Sequence, residues 1–312
     1  MKKILIIIFF ISTALAVNCN FCKTSISEKP YNLYGRKYHR SCFICHHCNQ
    51  TINEGHKFSF DEHMYHANNS CNVLCESCYL KKGIEYSNGI IRCEECHDKI
   101  VQKPKDILIH KTYVLELLSK YGFNDLSEAT ISIEIVNISQ MKKVMSKGLF
   151  GFIYNLFNDV ENPEGYTIHN KKGVGKNKKH SCKIYIIDNL HELDFRSTLA
   201  HEYLHAWMMI NDVYSHYWKF NDLSMTEGFA QLGSYLVFND ESSLLGKKKI
   251  EFDLNLYDDN NYGEGYRKMK VCLDYYGWDR LIEKVLNKKD LSCFDDKNLL
   301  YLNRNKITNS LR

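Results

Sequence analysis

Residues 199–207 read Leu199-Ala200-His201-Glu202-Tyr203-Leu204-His205-Ala206-Trp207. On an α-helix, residues four apart share one face, so His201 and His205 present two imidazoles to one point. That spacing is the HExxH pattern of zinc hydrolases, in which the intervening glutamate, here Glu202, is the general base toward a metal-activated water. The flanks favour a helix. Asp194 or Ser197 is placed to cap it, and Leu199, Leu204, Trp207, Met208 and Ile210 supply apolar contacts.

A catalytic zinc of this kind needs a third protein ligand. A further histidine at position 211 preceded by glycine at 208 is ruled out, because those residues are Asn211 and Met208. Downstream, Met225-Thr226-Glu227-Gly228-Phe229-Ala230-Gln231 opens a second helical pattern through Leu232, Tyr235 and Leu236. Glu227 on that helix completes two histidines and one glutamate, and Gly228 is expected to let the two helices approach closely. Asp212, His216 and Asp222, in the connection, are weaker ligand candidates. Tyr262-Gly263-Glu264-Gly265-Tyr266-Arg267 follows a polar loop, and Tyr262, Tyr266 or Arg267 is the expected donor to a developing oxyanion.

Upstream of the helix, Cys182 to Ile187 reads as a strand, expected to hold an extended peptide by strand addition. Ala129 to Ile138 alternates as another strand, and Ile107 to Tyr121 has helical apolar spacing through Leu108, Val114, Leu115, Leu117 and Leu118. The basic stretch from Lys171 to His180 reads as a solvated hairpin.

Of the 13 cysteines, ten lie between Cys19 and Cys96. Their spacing is that of zinc knuckles. A C-x-x-C turn sets two thiolates on one side of a tight loop, and two half-sites close one tetrahedral ion. The grouping that leaves none over is Cys19, Cys22, His39 and Cys42; then Cys45, Cys48, His66 and Cys71; then Cys75, Cys78, Cys93 and Cys96. His63 is an alternative to His66, and Cys75 with Cys78 could close the second site instead. His46, His47 and His56 are left as exposed side chains. A disulfide framework competes with this reading, but would not require histidines at these spacings.

Lys2 and Lys3, the apolar run Ile4 to Ile11 and Ala14-Leu15-Ala16 read as a secretory signal peptide over residues 1–16, with a retained anchor as the alternative. The expected protein is secreted or exported, with no membrane partner once that segment is removed. A formal charge of +4 is too small to argue for nucleic acid or an anionic membrane as the main partner.

Behind LIM-type knuckles, HEYLHAW, TEGFAQ and YGEGYR in that order resemble the LIM-domain metallopeptidases that restrain organ growth in plants and are activated by ubiquitin. TEGFA is also similar to the glutamate helix of zinc aminopeptidases, which share the gluzincin active site. The resemblance implies an α+β chain: a LIM-like module with three knuckle sites over 17–98, then a gluzincin-like metallopeptidase domain over 99–312. It implies His201, His205 and Glu227 as zinc ligands, Glu202 as base, one catalytic and about three structural zinc ions, and endopeptidase activity on protein or peptide substrates, with the fingers targeting or regulating it through a protein partner. Two other classes stay open: a catalytically inactive zinc-finger scaffold, and a disulfide-stapled adhesion domain.

Overall fold

The computed structural model describes residues 17–33, 36–52, 56–58, 63–66, 71, 74–78, 82–86, 90–126, 130–147, 163–172, 179–213, 223–255, 262–287 and 291–294. The signal segment expected at 1–16, His216, Asp222 and the middle of the basic hairpin fall outside them. No helix among the described residues is long and apolar enough to cross a membrane. The chain divides into two compact units, Met1–Val73 and Leu74–Arg312. The third knuckle lies in the second of these units.

The first unit is built from two short antiparallel hairpins, β1 (Tyr31–Leu33) with β2 (Arg36–Tyr38), and β3 (His56–Phe58) with β4 (Met64–His66). Its small core is Phe43, fully buried, with its ring 4.3 Å from Tyr31 and 6.0 Å from Tyr38. Each knuckle closes on a residue in the left-handed region immediately after its second cysteine: Lys23 at φ 63° and Asn49 at φ 58°. The turn is sealed by Lys23 N–H donating to Cys19 O at 2.9 Å and Asn49 N–H donating to Cys45 O at 2.8 Å.

The second unit opens with the third knuckle, carrying β5 (Ile84–Glu85), β6 (Ile91–Arg92) and the short α1 (Glu94–His97). There follow α2 (Pro104–Ser119), β7 (Thr130–Val136), α3 (Ile138–Lys147), β8 (Gly165–Lys172) and β9 (Lys179–Ile187). After these come α4 (Glu192–Ile210), α5 (Leu223–Asp240), α6 (Leu244–Lys249), a π-helical turn (Ile250–Asn255), α7 (Gly263–Tyr276) and α8 (Trp278–Leu286). The strands form a mixed sheet in the order β7-β9-β8, with β7 parallel and β8 antiparallel to β9. Cys182, Ile184 and Ile186 alternate inward from β9, as period-2 patterning requires. They pack with α4 in one core, while Met141 and Met145 of α3 cluster with Tyr166, Tyr185 and Ile187, on the alternate positions of the sheet.

Three expectations are corrected here. β9 is the central strand, so it has no free edge for a substrate; among the described residues the unpaired edge nearest the helix belongs to β8. Neither Asp194 nor Ser197 caps α4: His191 does, its Nδ1 accepting from Leu193 N–H at 3.2 Å. In α2, Leu108 is 63% exposed and lies outside the buried stripe formed by His110, Val114, Leu117 and Leu118.

Helix α4 is buried nearly all round, which is why its sequence shows no polar face. The chain leaving the third knuckle fixes its start. Ile100 bridges His191, Val101 N–H donates to Leu190 O at 3.1 Å, and Glu192 N–H donates to Lys99 O at 2.9 Å. Leu245 of α6 packs directly against the four cysteines of that knuckle.

Candidate metal centre and active site

Helices α4 and α5 pack closely because of Gly233, not Gly228. A Cβ at 233 would sit 2.5 Å from the Ala200 carbonyl oxygen, so only glycine allows this approach. Gly228 faces α7 instead, where its own Cβ would lie 2.3 Å from the Gly265 carbonyl oxygen. The two contacts bring Glu227 under the paired imidazoles and bring the first turn of α7 beside them.

The result is a triangle of ligand atoms. His201 Nε2 and His205 Nε2 are 3.0 Å apart, and Glu227 Oε2 lies 3.2 and 3.3 Å from them. All three side chains are buried. Zinc with N and O ligands at ~2.0–2.1 Å has tetrahedral edges of roughly 3.3 Å, so this triangle is one face of such a site. Glu227 Oε2 has no aligned hydrogen-bond donor despite its burial, the mark of a group whose partner is a cation. Burial opposes its charge, but the two imidazoles outweigh burial and hold the carboxyl far below the ordinary carboxylate range. Burial likewise opposes protonation of His205, and Glu227 outweighs it and raises the His205 pKa.

Glu202 points from the same helix toward β8. Thr167 Oγ1 donates to its Oε2 at 2.7 Å and also to its backbone carbonyl at 3.2 Å. Its Oε1 lies over Gly165, where a Cβ would be 2.6 Å away. Of the three expected oxyanion donors, Tyr262 is brought to the site, its ring stacked 6.2 Å from that of His201. Tyr266 is buried in the core beside Tyr235, with its pKa raised well above the ordinary value by desolvation, and Arg267 donates to the Asn255 carbonyl at 3.1 Å. Asp212 pairs with Lys171 at 2.6 Å. Sequence reasoning missed Thr167, Gly165, Gly233 and His191. Small residues facing inward from a strand, or a histidine cap, carry no signal in one sequence.

The knuckles assemble as grouped. In each of the three sets, Cys19/Cys22/His39/Cys42, Cys45/Cys48/His66/Cys71 and Cys75/Cys78/Cys93/Cys96, the ligand atoms lie within 4.8 Å of one another. Cys22 Sγ is 3.3 Å and Cys42 Sγ 3.8 Å from His39 Nδ1, Cys48 Sγ is 3.4 Å from His66 Nδ1, and Cys78 and Cys93 sulfurs are 3.9 Å apart. Zinc–sulfur bonds of ~2.3 Å give tetrahedral edges of roughly 3.5–3.8 Å, so the sets fit zinc. All ten cysteines are free thiols, against the disulfide-framework reading. Burial works against the Cys45 thiolate, yet backbone groups of Cys48, His66 and His47 lower its pKa to about 6. His66, not His63, enters the second site; the His63 ring lies tilted against that of His46, centroids 3.8 Å apart.

A family model described as the LIM domain matches residues 19–83. Residues 19–83 form a LIM domain. The comparisons with curated proteins and with solved structures found no match. LIM domains bind zinc and commonly mediate protein–protein interaction, and the LIM match suggests both for residues 19–83. The LIM match takes in Cys75 and Cys78, whose partners Cys93 and Cys96 lie beyond it. Sequence reasoning also missed the disulfide Cys272–Cys293, which ties the 3₁₀ turn Ser292–Phe294 to α7.

Proposed function

We propose that this chain is a zinc-dependent endopeptidase that hydrolyses peptide bonds in protein substrates, its LIM domain serving to target or regulate it. One observation carries the reading: His201, His205 and Glu227 converge on a zinc-sized triangle with Glu202 on the adjoining face of the same helix. Held by those three residues, zinc supplies Lewis acidity, polarising a carbonyl and lowering the pKa of a water toward ~7.

The chain's own residues do the rest. Thr167 fixes one oxygen of Glu202 and leaves Oε1 over the side-chain-free Gly165, placed to take the water's proton and pass it to the leaving amine nitrogen. The Tyr262 hydroxyl is the donor closest to hand for the developing oxyanion, given its stacking on His201. The outer edge of β8, unpaired among the described residues, offers backbone groups to an extended peptide, antiparallel in kind to the β8–β9 pair. The motif order HEYLHAW, TEGFAQ, YGEGYR supports the same reading. The basic, apolar N-terminal run and the Cys272–Cys293 disulfide support export to an oxidising compartment.

The test is Glu202→Gln. Bound zinc should be unchanged, and cleavage of a denatured protein substrate should fall by about 10²–10⁴-fold. Cleavage at the wild-type rate would remove Glu202 from the mechanism. A zinc-loaded wild-type protein that cleaves nothing, yet retains partners through residues 19–83, would favour the scaffold reading.

A further inference from the structure

The edge strand β8 carries a charge pattern that the proposed hydrolysis does not use. Gly165 lies over Glu202 and Thr198, and Thr167 donates to Glu202, so this stretch faces the middle of α4. Lys171, further along the same strand face, pairs with Asp212, just past the end of α4, Nζ to Oδ1 2.6 Å. Strand β8 and helix α4 therefore run in the same direction, away from the base Glu202. The far end of the strand is cationic. Lys172 stands directly opposite Lys179, and Lys171 opposite His180. Like charges directly opposite one another destabilise a strand pair. Lys171 has a counter-charge in Asp212, while Lys179 is exposed to solvent.

We propose that this end of β8 selects the substrate: the chain prefers protein segments that carry Asp or Glu on the N-terminal side of the bond it cleaves. The inference rests on the peptidase reading and names a substrate class for it. The outer edge of β8 is unpaired among the described residues, and a peptide added there is held best antiparallel, the stronger pairing per residue. It then runs from Lys172 toward Gly165. The bond beside Glu202 lies opposite Gly165 to Thr167, and the residues preceding it extend past His169 to Lys171 and Lys172. With one residue facing one along the ladder, the positions opposite the lysines are about four to six residues before the scissile bond. Side chains of the added peptide alternate between the two faces of the sheet, and a lysine position stands on each, 171 on one and 172 with 179 on the other. A carboxylate there also relieves the like-charge pair at 172 and 179. A peptide too short to reach these positions escapes the preference.

The experiment is digestion of a proteome-derived peptide library by the zinc-loaded full chain, with the cleavage sites aligned by mass spectrometry. Asp and Glu should be enriched, and Lys and Arg depleted, about four to six residues before the cleaved bond. Lys179→Glu turns the like-charge pair into an opposite-charge pair, so the hairpin is not weakened, and circular dichroism checks its fold. That variant should lose the acidic enrichment, and its kcat/KM on an acidic peptide should fall about two- to five-fold, through KM. No enrichment, acidic enrichment on the C-terminal side of the bond, or an unchanged profile in Lys179→Glu would overturn the inference and leave the peptidase reading standing. A zinc-loaded chain that cleaves no peptide would overturn the peptidase reading, and this inference with it.

Discussion

Thr167 Oγ1 and Glu202 Oε2 are 2.7 Å apart, a hydrogen bond that ties the edge strand β8 to the carboxylate of the HExxH helix. Thr167→Val keeps the side-chain volume and removes the donor. Outer hydrogen bonds of this kind are typically worth 10–100-fold in activity or metal affinity, so kcat should fall by about that factor. Zinc content should not change, because the Thr167 hydroxyl donates to Glu202 and not to His201, His205 or Glu227. A variant with wild-type kcat would show that Glu202 needs no such support.

Gly233→Ala probes how the site is assembled. Its new Cβ would meet the Ala200 carbonyl oxygen at 2.5 Å, a backbone atom that cannot swing aside. Overpacking of this sort costs about 1–3 kcal/mol. Helices α4 and α5 must separate, and Glu227 leaves the imidazoles. Zinc bound per chain should drop by one while the knuckles stay loaded. Full zinc content by mass spectrometry would refute the close-packing account.

Cys93→Ser tests whether the third knuckle supports the HExxH helix. Its chain runs into the bridge Ile100–His191, and His191 caps α4. Loss of that zinc should lower the melting temperature of the second unit and weaken zinc binding at His201, His205 and Glu227. For a unit of this size each 1 kcal/mol corresponds to about 2–4 °C. A melting curve superimposed on the wild type would make the knuckle a passenger.

Glu164 gives the pH dependence a sign. Desolvation, then the neighbouring Asp194 and Asp253 carboxylates, push its pKa from 4.5 up to about 7, against Thr198 and Lys249. Thr198 Oγ1 donates to it at 2.8 Å. With the folded value above the unfolded one, its contribution to stability is complete below about pH 4.5 and lost as pH rises through about 7. Glu164 keeps access to solvent, which limits the amplitude. In zinc-saturated protein, the stability difference between wild type and Glu164→Gln should shift between those two pH values and stay flat above them. A constant difference across the range would contradict it.

The ligand sets were legible because metal coordination constrains residue type and spacing together. His201 and His205 follow from one helical turn, and each C-x-x-C from one knuckle. The helix of Glu227 was legible from its apolar period. What stayed hidden depends on contacts between distant segments. The Cys182–Ile187 run is so apolar because it is the central strand, and the same pairing on both sides leaves it no free edge. Gly228 drew attention for standing next to Glu227, while the contact that decides the site is made by Gly233, five residues on. Tyr262, Tyr266 and Arg267 were equivalent in sequence; the helical turn at Gly263 sends one toward His201, one into the core and one to Asn255.

The Cys272–Cys293 bond shares one unit with four thiols that must never oxidise, Cys75, Cys78, Cys93 and Cys96. These demands conflict unless they are met in sequence. A newly made chain has to capture its zinc while every sulfur is still reduced, and only then let the C-terminal pair be stapled; reversed, the staple's partners become any of the four ligand thiols. Maturation of this molecule is thus ordered by its sulfur chemistry, with metal supply upstream of oxidation.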